Sequence, residues 1–180
     1  MKLFIYISLF VTTISLVAFV VPEKKIDKLI AKVWKDQVVE KTDLPINDSS
    51  LVSVNELMEL RIDGELIGYA CTATAFGCRV GGCAAPSNAN ADSYETFDYI
   101  VIYDSDLKIQ KVDIATYRGD YGYEICNRRW LRQFIGSTCG FALNENVDGI
   151  TGATVSASFL VNDLNEIGLA LKTFLLNAGC

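Results

Sequence analysis

A chain of 180 residues, 51% of them hydrophobic, holds enough apolar material for one packed domain and little more. Its formal charge of −6 repels phosphate backbones and excludes nucleic acid as a partner. Histidine is absent, which removes the commonest general base and transition-metal ligand. Chemistry therefore falls to the six cysteines or to a bound cofactor.

Residues 3–21, LFIYISLFVTTISLVAFVV, are uncharged throughout and follow Lys2. That length is about enough to cross a bilayer as a helix. A cleaved signal segment opens the same way, but its apolar run is usually shorter, and Leu16 stands where an A-x-A site ending at Ala18 needs a small residue. The expectation is an uncleaved anchor over residues 1–21. Lys24, Lys25, Lys28 and Lys32 follow it, against Lys2 alone before it. Read by itself, the positive-inside rule keeps the domain in the cytoplasm.

In IDKLIAKVW, residues Ile26, Leu29, Ile30, Val33 and Trp34 repeat at the helical i, i+3, i+4, i+7, i+8 spacing. The polar KTDLPINDSS that follows reads as a spacer, so residues 22–50 form an amphipathic helix and linker ahead of a domain over 51–180. ELRIDGELIGYACTATAF carries two apolar runs about Asp63-Gly64, a strong hairpin signal. FDYIVIYDSDLKIQKVDIATY is a second pair, bending at Asp104-Ser105-Asp106. Four antiparallel strands are expected. Between the pairs, GCRVGGCAAPSNANADSYET (residues 77–96) is too long for a turn and too poor in large side chains for a core element, so it reads as an inserted loop.

A short helix is expected across NRRWLRQFIG, and a long one from Val155 to Asn177, with Leu160, Leu164, Ile167, Leu171 and Phe174 on one face and Gly179 beyond its end. The fold class is α+β: an antiparallel sheet covered by helices, with an N-terminal transmembrane helix.

Cys71-x6-Cys78-x4-Cys83 lacks the CxxC pairing of most zinc sites and of redox-active dithiols, so no metal site is expected. Six cysteines in an exported domain point first to structural disulfides. Cys78 with Cys83, and Cys126 with Cys139, are candidate pairs, and Cys180 is expected to be unpaired.

The stretch DGITGATVS, residues 148–156, opens the last helix. A helix start gathers free N–H groups and the positive dipole end, which attract phosphate. Gly152 and Ala153 let a bulky anion approach, and Thr154 puts a hydroxyl at the same point. Thr151, Thr154, Ser156 and Ser158 are equally good helix caps, and on spacing alone capping is the ordinary explanation.

This stretch resembles the flavinylation motif D-x-x-[S/T]-G-A-T of the FMN-binding domain family. That family includes the C subunit of the sodium-pumping NADH:quinone reductase and the G subunit of the Rnf complex. It also has small stand-alone members with one N-terminal anchor, which this chain resembles more closely. The resemblance implies FMN joined to Thr154 by a phosphoester bond. Asp148, Thr151, Gly152 and Ala153 would be read by a flavin transferase that takes FMN from FAD. It extends more weakly to RGDYGYEICNRRWLRQFIG, residues 118–136, similar to a second family segment with a glycine turn, a glutamate and a Trp-containing helix beneath the flavin. Tyr121-Gly122-Tyr123-Glu124 replaces the family's E-T-P-G-x-G there, which puts copied pocket residues in doubt.

The same segment has a physical reading. Tyr117, Tyr121, Tyr123 and Trp130 are flat and polar-tipped, able to stack on an isoalloxazine or bond its edge. Arg118, Arg128 and Arg129 could hold phosphate, and Glu124 could meet the flavin edge. Core packing and a solvated basic face are the plain alternatives.

Together these imply a membrane-anchored flavoprotein facing the periplasm or cell exterior. It would relay electrons between donor and acceptor proteins that the sequence leaves unnamed, with no catalytic side chain of its own. The rivals are an exported disulfide-stabilised binding module without flavin and a thiol–disulfide enzyme using the loop cysteines.

Overall fold

The computed structural model describes residues 21–46, 51–79 and 94–178. All of the expected anchor except Val21, most of the inserted loop, and Cys83 and Cys180 lie outside them. No helix among the described residues is long and apolar enough to cross a membrane.

Five strands run in chain order as one antiparallel meander: β1 (Glu40–Asp43), β2 (Val54–Ile62), β3 (Glu65–Arg79), β4 (Tyr94–Asp104) and β5 (Ile109–Tyr117). Helix α1 (Glu23–Val33) precedes the sheet. After it come a 3₁₀ turn (Tyr123–Cys126), α2 (Arg128–Leu131) with a further 3₁₀ turn (Arg132–Phe134), and α3 (Thr154–Ala178). The α+β reading holds. Asp63 and Gly64 both take positive φ, 51° and 82°, the two-residue turn that matches strand twist and joins Ile62 to Glu65. Asp104 closes the next hairpin, its carboxylate accepting from the Asp106 and Lys108 amides.

Three expectations are corrected. The sheet has five strands, because Glu40–Asp43 pairs with β2 inside what reads as a spacer. Its side chains lie mostly in solvent, so it shows no apolar alternation, and edge strands are commonly charged in this way. Lys41 from β1 bonds Glu23 and Asp27 of α1, each at 2.7 Å. Secondly, β3 continues to Arg79 and β4 starts at Tyr94, so the strands invade the inserted loop from both sides. Small residues permit this: Ala73, Ala75 and Cys78 are buried in the strand. Thirdly, the expected helix over 127–136 is shorter, four residues of α-helix and then a 3₁₀ turn.

Each face of the sheet has its own core. On one, Ile26, Leu29 and Ile30 of α1 pack with Val21 on Met58, Leu60, Ala70, Ile100 and Ile102. On the other, Leu160, Leu164, Ile167 and Leu171 of α3 join Tyr99, Val101, Phe134 and Trp130. The sheet thus holds the start of α3 rigidly above the 118–136 segment.

Candidate functional site at the opening of the last helix

The loop that delivers the chain to α3 is fastened at Asp148. Its amide donates to Gln133 Oε1 at 2.8 Å and its carbonyl accepts from Trp130 Nε1 at 2.7 Å. Its carboxylate side remains exposed. Trp130 is itself buried and set edge-on to Phe134, ring centroids 5.2 Å apart. The indole therefore positions the DGITGAT loop from beneath, rather than offering an open stacking face.

From Ile150 the backbone turns, with the Ala153 amide bonding the Ile150 carbonyl at 3.2 Å. Gly152 takes φ +87°, a left-handed conformation that glycine adopts without penalty. A Cβ there would stand 2.8 Å from Glu124 Oε1 and 3.0 Å from its carboxyl carbon. Ala153 is fully buried, whereas Thr151 and Thr154 are exposed. Neither threonine hydroxyl holds a hydrogen bond to a described residue, and the Thr154 carbonyl accepts from Ser158 Oγ. Capping, the ordinary use of a hydroxyl at this place, is not how Thr154 is employed.

Glu124 lies against this turn. Its Oε2 is buried and has no hydrogen-bond partner among the described residues, and an unmet buried carboxylate oxygen is costly unless something else answers it. Tyr121 and Tyr123, on either side of Gly122, are 48% and 60% exposed. They are large apolar faces turned to solvent beside the turn.

Gly122 is a second tight glycine, φ +86°. A Cβ there would meet Ser156 Oγ at 2.4 Å, Tyr117 Oη at 2.7 Å and Cys78 Sγ at 2.8 Å. These three groups form a polar knot that the sequence does not reveal. The Ser156 and Tyr117 hydroxyls bond at 2.9 Å, the Ser156 hydroxyl reaches Cys78 Sγ at 3.6 Å, and the Tyr117 hydroxyl also donates to the Tyr121 carbonyl. Burial pushes the Tyr117 phenol up, partly countered by its Ser156 bond. Its ring lies parallel to Phe97, centroids 5.7 Å apart, so Tyr117 braces the segment from inside. The knot joins β3, β5 and α3. Its only trace in the sequence is the glycine between two tyrosines.

Of the arginines, Arg118 is committed to Asp98, a buried carboxylate that it grips with both nitrogens, and to Thr96. Glu95 accepts from the Asp120 and Tyr121 amides at 3.1 and 3.5 Å. Arg128 and Arg129 are exposed. The structure therefore gathers Asp148, Thr151, Gly152, Ala153, Thr154, Glu124 and Trp130 into one turn and its support, with Tyr121 and Tyr123 at its edge.

The cysteines follow a different course from the expected pairing. Cys71, Cys126 and Cys139 are free thiols. Cys71 and Cys78 are buried, and Cys139 Sγ accepts from Lys172 at 3.5 Å. Cys126 and Cys139 do not pair, and the Cys78–Cys83 pair falls outside the described residues. Burial raises the Cys71 and Cys126 thiols, which makes them poor nucleophiles. Among the described residues no cluster of three or more cysteine, aspartate or glutamate side chains could hold a metal ion.

A separate groove of about 780 Å³ runs along another side of α3, between Val52, Phe76, Phe159, Asp163, Glu166 and Leu169. It does not include Thr154. Burial raises the Asp163 carboxyl, opposed by its bonds from Ser53 and Tyr99, the latter at 2.6 Å.

No protein-family model matches the chain, and no curated protein matches it.

Proposed function

We propose that this chain carries FMN in phosphoester linkage to Thr154 and relays electrons between redox partners. In this reading it is anchored by residues 3–21 with the domain facing the periplasm or cell exterior. The observation that carries the reading is the unspent Thr154 hydroxyl at the opening of α3. It stands beside a glycine-tight turn and a buried Glu124 oxygen that no described residue satisfies.

The residues fit the group. The free amides of the first turn of α3 would be open to an ester phosphate on Thr154, where the helix dipole favours negative charge. Gly152 keeps the backbone clear of any side chain. Tyr121 and Tyr123 present rings on which a flat cofactor can rest, and Glu124 Oε2 can accept from an N–H at its edge. Asp148, fastened through its own backbone, leaves its carboxylate free for a transferase to read. Bound there, the flavin supplies one- and two-electron transfer. The chain's part is to orient it, and no acid–base side chain is required. An extracytoplasmic position follows from the same motif and outweighs the lysines behind the anchor. Covalent attachment also holds a cofactor that would be lost by diffusion there.

The test compares wild type with Thr154→Val, each co-expressed with a flavin transferase, by intact mass and by flavin fluorescence after denaturing electrophoresis. Wild type should gain the mass of one FMN less one water and glow in the gel, and the variant should do neither. A wild-type mass equal to the sum of its residues would overturn the proposal. It would leave the alternative, an exported binding module without flavin, although the free Cys126 and Cys139 thiols lend no support to a bridge between those two.

A further inference from the structure

Helix α1 divides its surface by charge. Ile26, Leu29 and Ile30 face the sheet and are buried. On one flank Glu23 and Asp27 share Lys41, each at 2.7 Å. The outward side, opposite the buried stripe, carries Lys24, Lys28 and Lys32 at successive i+4 steps. All three are exposed and have no carboxylate partner among the described residues. Lys25, beside them, turns instead to the Ala115 carbonyl of β5. In a chain of net charge −6, this row of three cations on one helix face is a surface complementary to an anionic counterpart.

The position of this row supplies one. Val21 is the last residue of the uncharged run 3–21 and is also buried in the core beneath α1. Pro22 follows, and α1 begins at Glu23. No linker separates the apolar run from the folded domain, so α1 is the first element to leave the bilayer if that run is embedded. Eleven helical residues rise about 1.5 Å each, which keeps the whole row within about two Debye lengths of the point of exit.

We propose that Lys24, Lys28 and Lys32 seat on the anionic phospholipid headgroups of the membrane that holds the N-terminal run. This rests on the anchored reading above and adds an orientation: α1 lies along the lipid surface, while the start of α3, on the opposite side of the sheet, faces away from it. The lysines behind the anchor then serve as headgroup contacts on the side where the domain stands.

The full-length chain is reconstituted into phosphatidylcholine vesicles and into otherwise identical vesicles containing phosphatidylglycerol. Lysine acetylation rates are then read by peptide mass spectrometry, with Lys108 and Lys172 as distant exposed references. Lys24, Lys28 and Lys32 should react about fivefold more slowly in the anionic vesicles, and the references should not change. The protection should vanish in about 1 M salt, where screening acts over about 3 Å. Inorganic phosphate added to the neutral vesicles should not reproduce it, and protection by phosphate alone would reject a lipid surface as the occupant. Vesicle flotation after an alkaline high-salt wash reads the anchor separately. Retention with equal acetylation in both lipids overturns the headgroup contact and spares the anchor, whereas loss from the vesicles overturns both.

Discussion

Replacing Gly152 with alanine tests the turn at its tightest point. Two costs follow from the geometry. At φ +87° an alanine occupies the left-handed region, a penalty of about 1–2 kcal/mol. Its Cβ would also sit 2.8 Å from Glu124 Oε1 and 3.0 Å from the carboxyl carbon. Glu124 must then swing away from a position already half-buried, an overpacking cost of about 1–2 kcal/mol. The sum is roughly 2–4 kcal/mol. In a Glu124→Ala background the second cost disappears and the backbone penalty remains, because the three heavy atoms nearest that Cβ all belong to the Glu124 carboxyl. Urea unfolding of the four chains of this double-mutant cycle, followed by tryptophan fluorescence in detergent, should show a coupling of about 1–2 kcal/mol between the sites. An equal cost of Gly152→Ala in both backgrounds would refute the placement of Glu124 over the turn. A cost below about 0.5 kcal/mol in wild type would refute the left-handed glycine itself.

Other expectations follow from single contacts. Trp130→Phe removes the indole bond to the Asp148 carbonyl but keeps an aromatic ring against Phe134. Stability should fall by about 1–2 kcal/mol, and amide exchange over residues 148–153 should speed up while that of β3 and β4 does not. Tyr117→Phe leaves the fully buried Ser156 hydroxyl with only Cys78 as a partner among the described residues and should cost about 1–3 kcal/mol in the same unfolding assay. Thr154→Val should shift stability by no more than about 0.5 kcal/mol, because the side chain is exposed and unbonded. Loss of yellow colour in that variant would then reflect a missing attachment atom and not a damaged fold. Burial raises the Asp163 carboxyl, so the native state holds its proton more tightly than the unfolded chain. The resulting stability is complete below the ordinary carboxylate value of about 4 and is lost as pH rises through the raised native value. Asp163→Asn cannot ionise, so in urea unfolding its stability relative to wild type should improve between about pH 4 and pH 7. No change in that difference would place Asp163 in a less buried setting.

Elements whose side chains alternate or repeat against a core were readable from the chain alone. The stripe Leu160, Leu164, Ile167 and Leu171 defines α3 and is the face that packs. Asp63-Gly64 adopts the positive dihedrals its residue types favour. What escaped sequence reading is held by backbone or by distant partners. Glu40–Asp43 has no apolar period because its contribution is main-chain pairing to β2 and one lysine between two acids of α1. Gly77, Cys78 and Arg79 extend β3 beyond Phe76, where the buried Cys78 thiol accepts from Ser156 of α3, a partner fixed by the fold above the strand and not by local propensity.

The candidate site divides along the same line. Asp148, Thr151, Gly152, Ala153 and Thr154 are contiguous, and a local motif carries their grouping. Glu124 reaches Gly152 across 28 positions of chain, and Tyr117, Cys78 and Ser156 meet under Gly122 from three separate elements. No local pattern encodes such meetings. Both are nonetheless marked by a glycine at positive φ where a Cβ would strike a polar atom. A structural turn needs the dihedral alone, and Gly64, Gly136 and Gly140 have it with open space around them. Gly122 and Gly152 combine the dihedral with polar crowding. Those two glycines therefore mark where the fold sets side-chain chemistry against bare backbone, Gly152 in the loop that delivers the Thr154 hydroxyl to solvent and Gly122 in the segment against which the first turn of α3 packs.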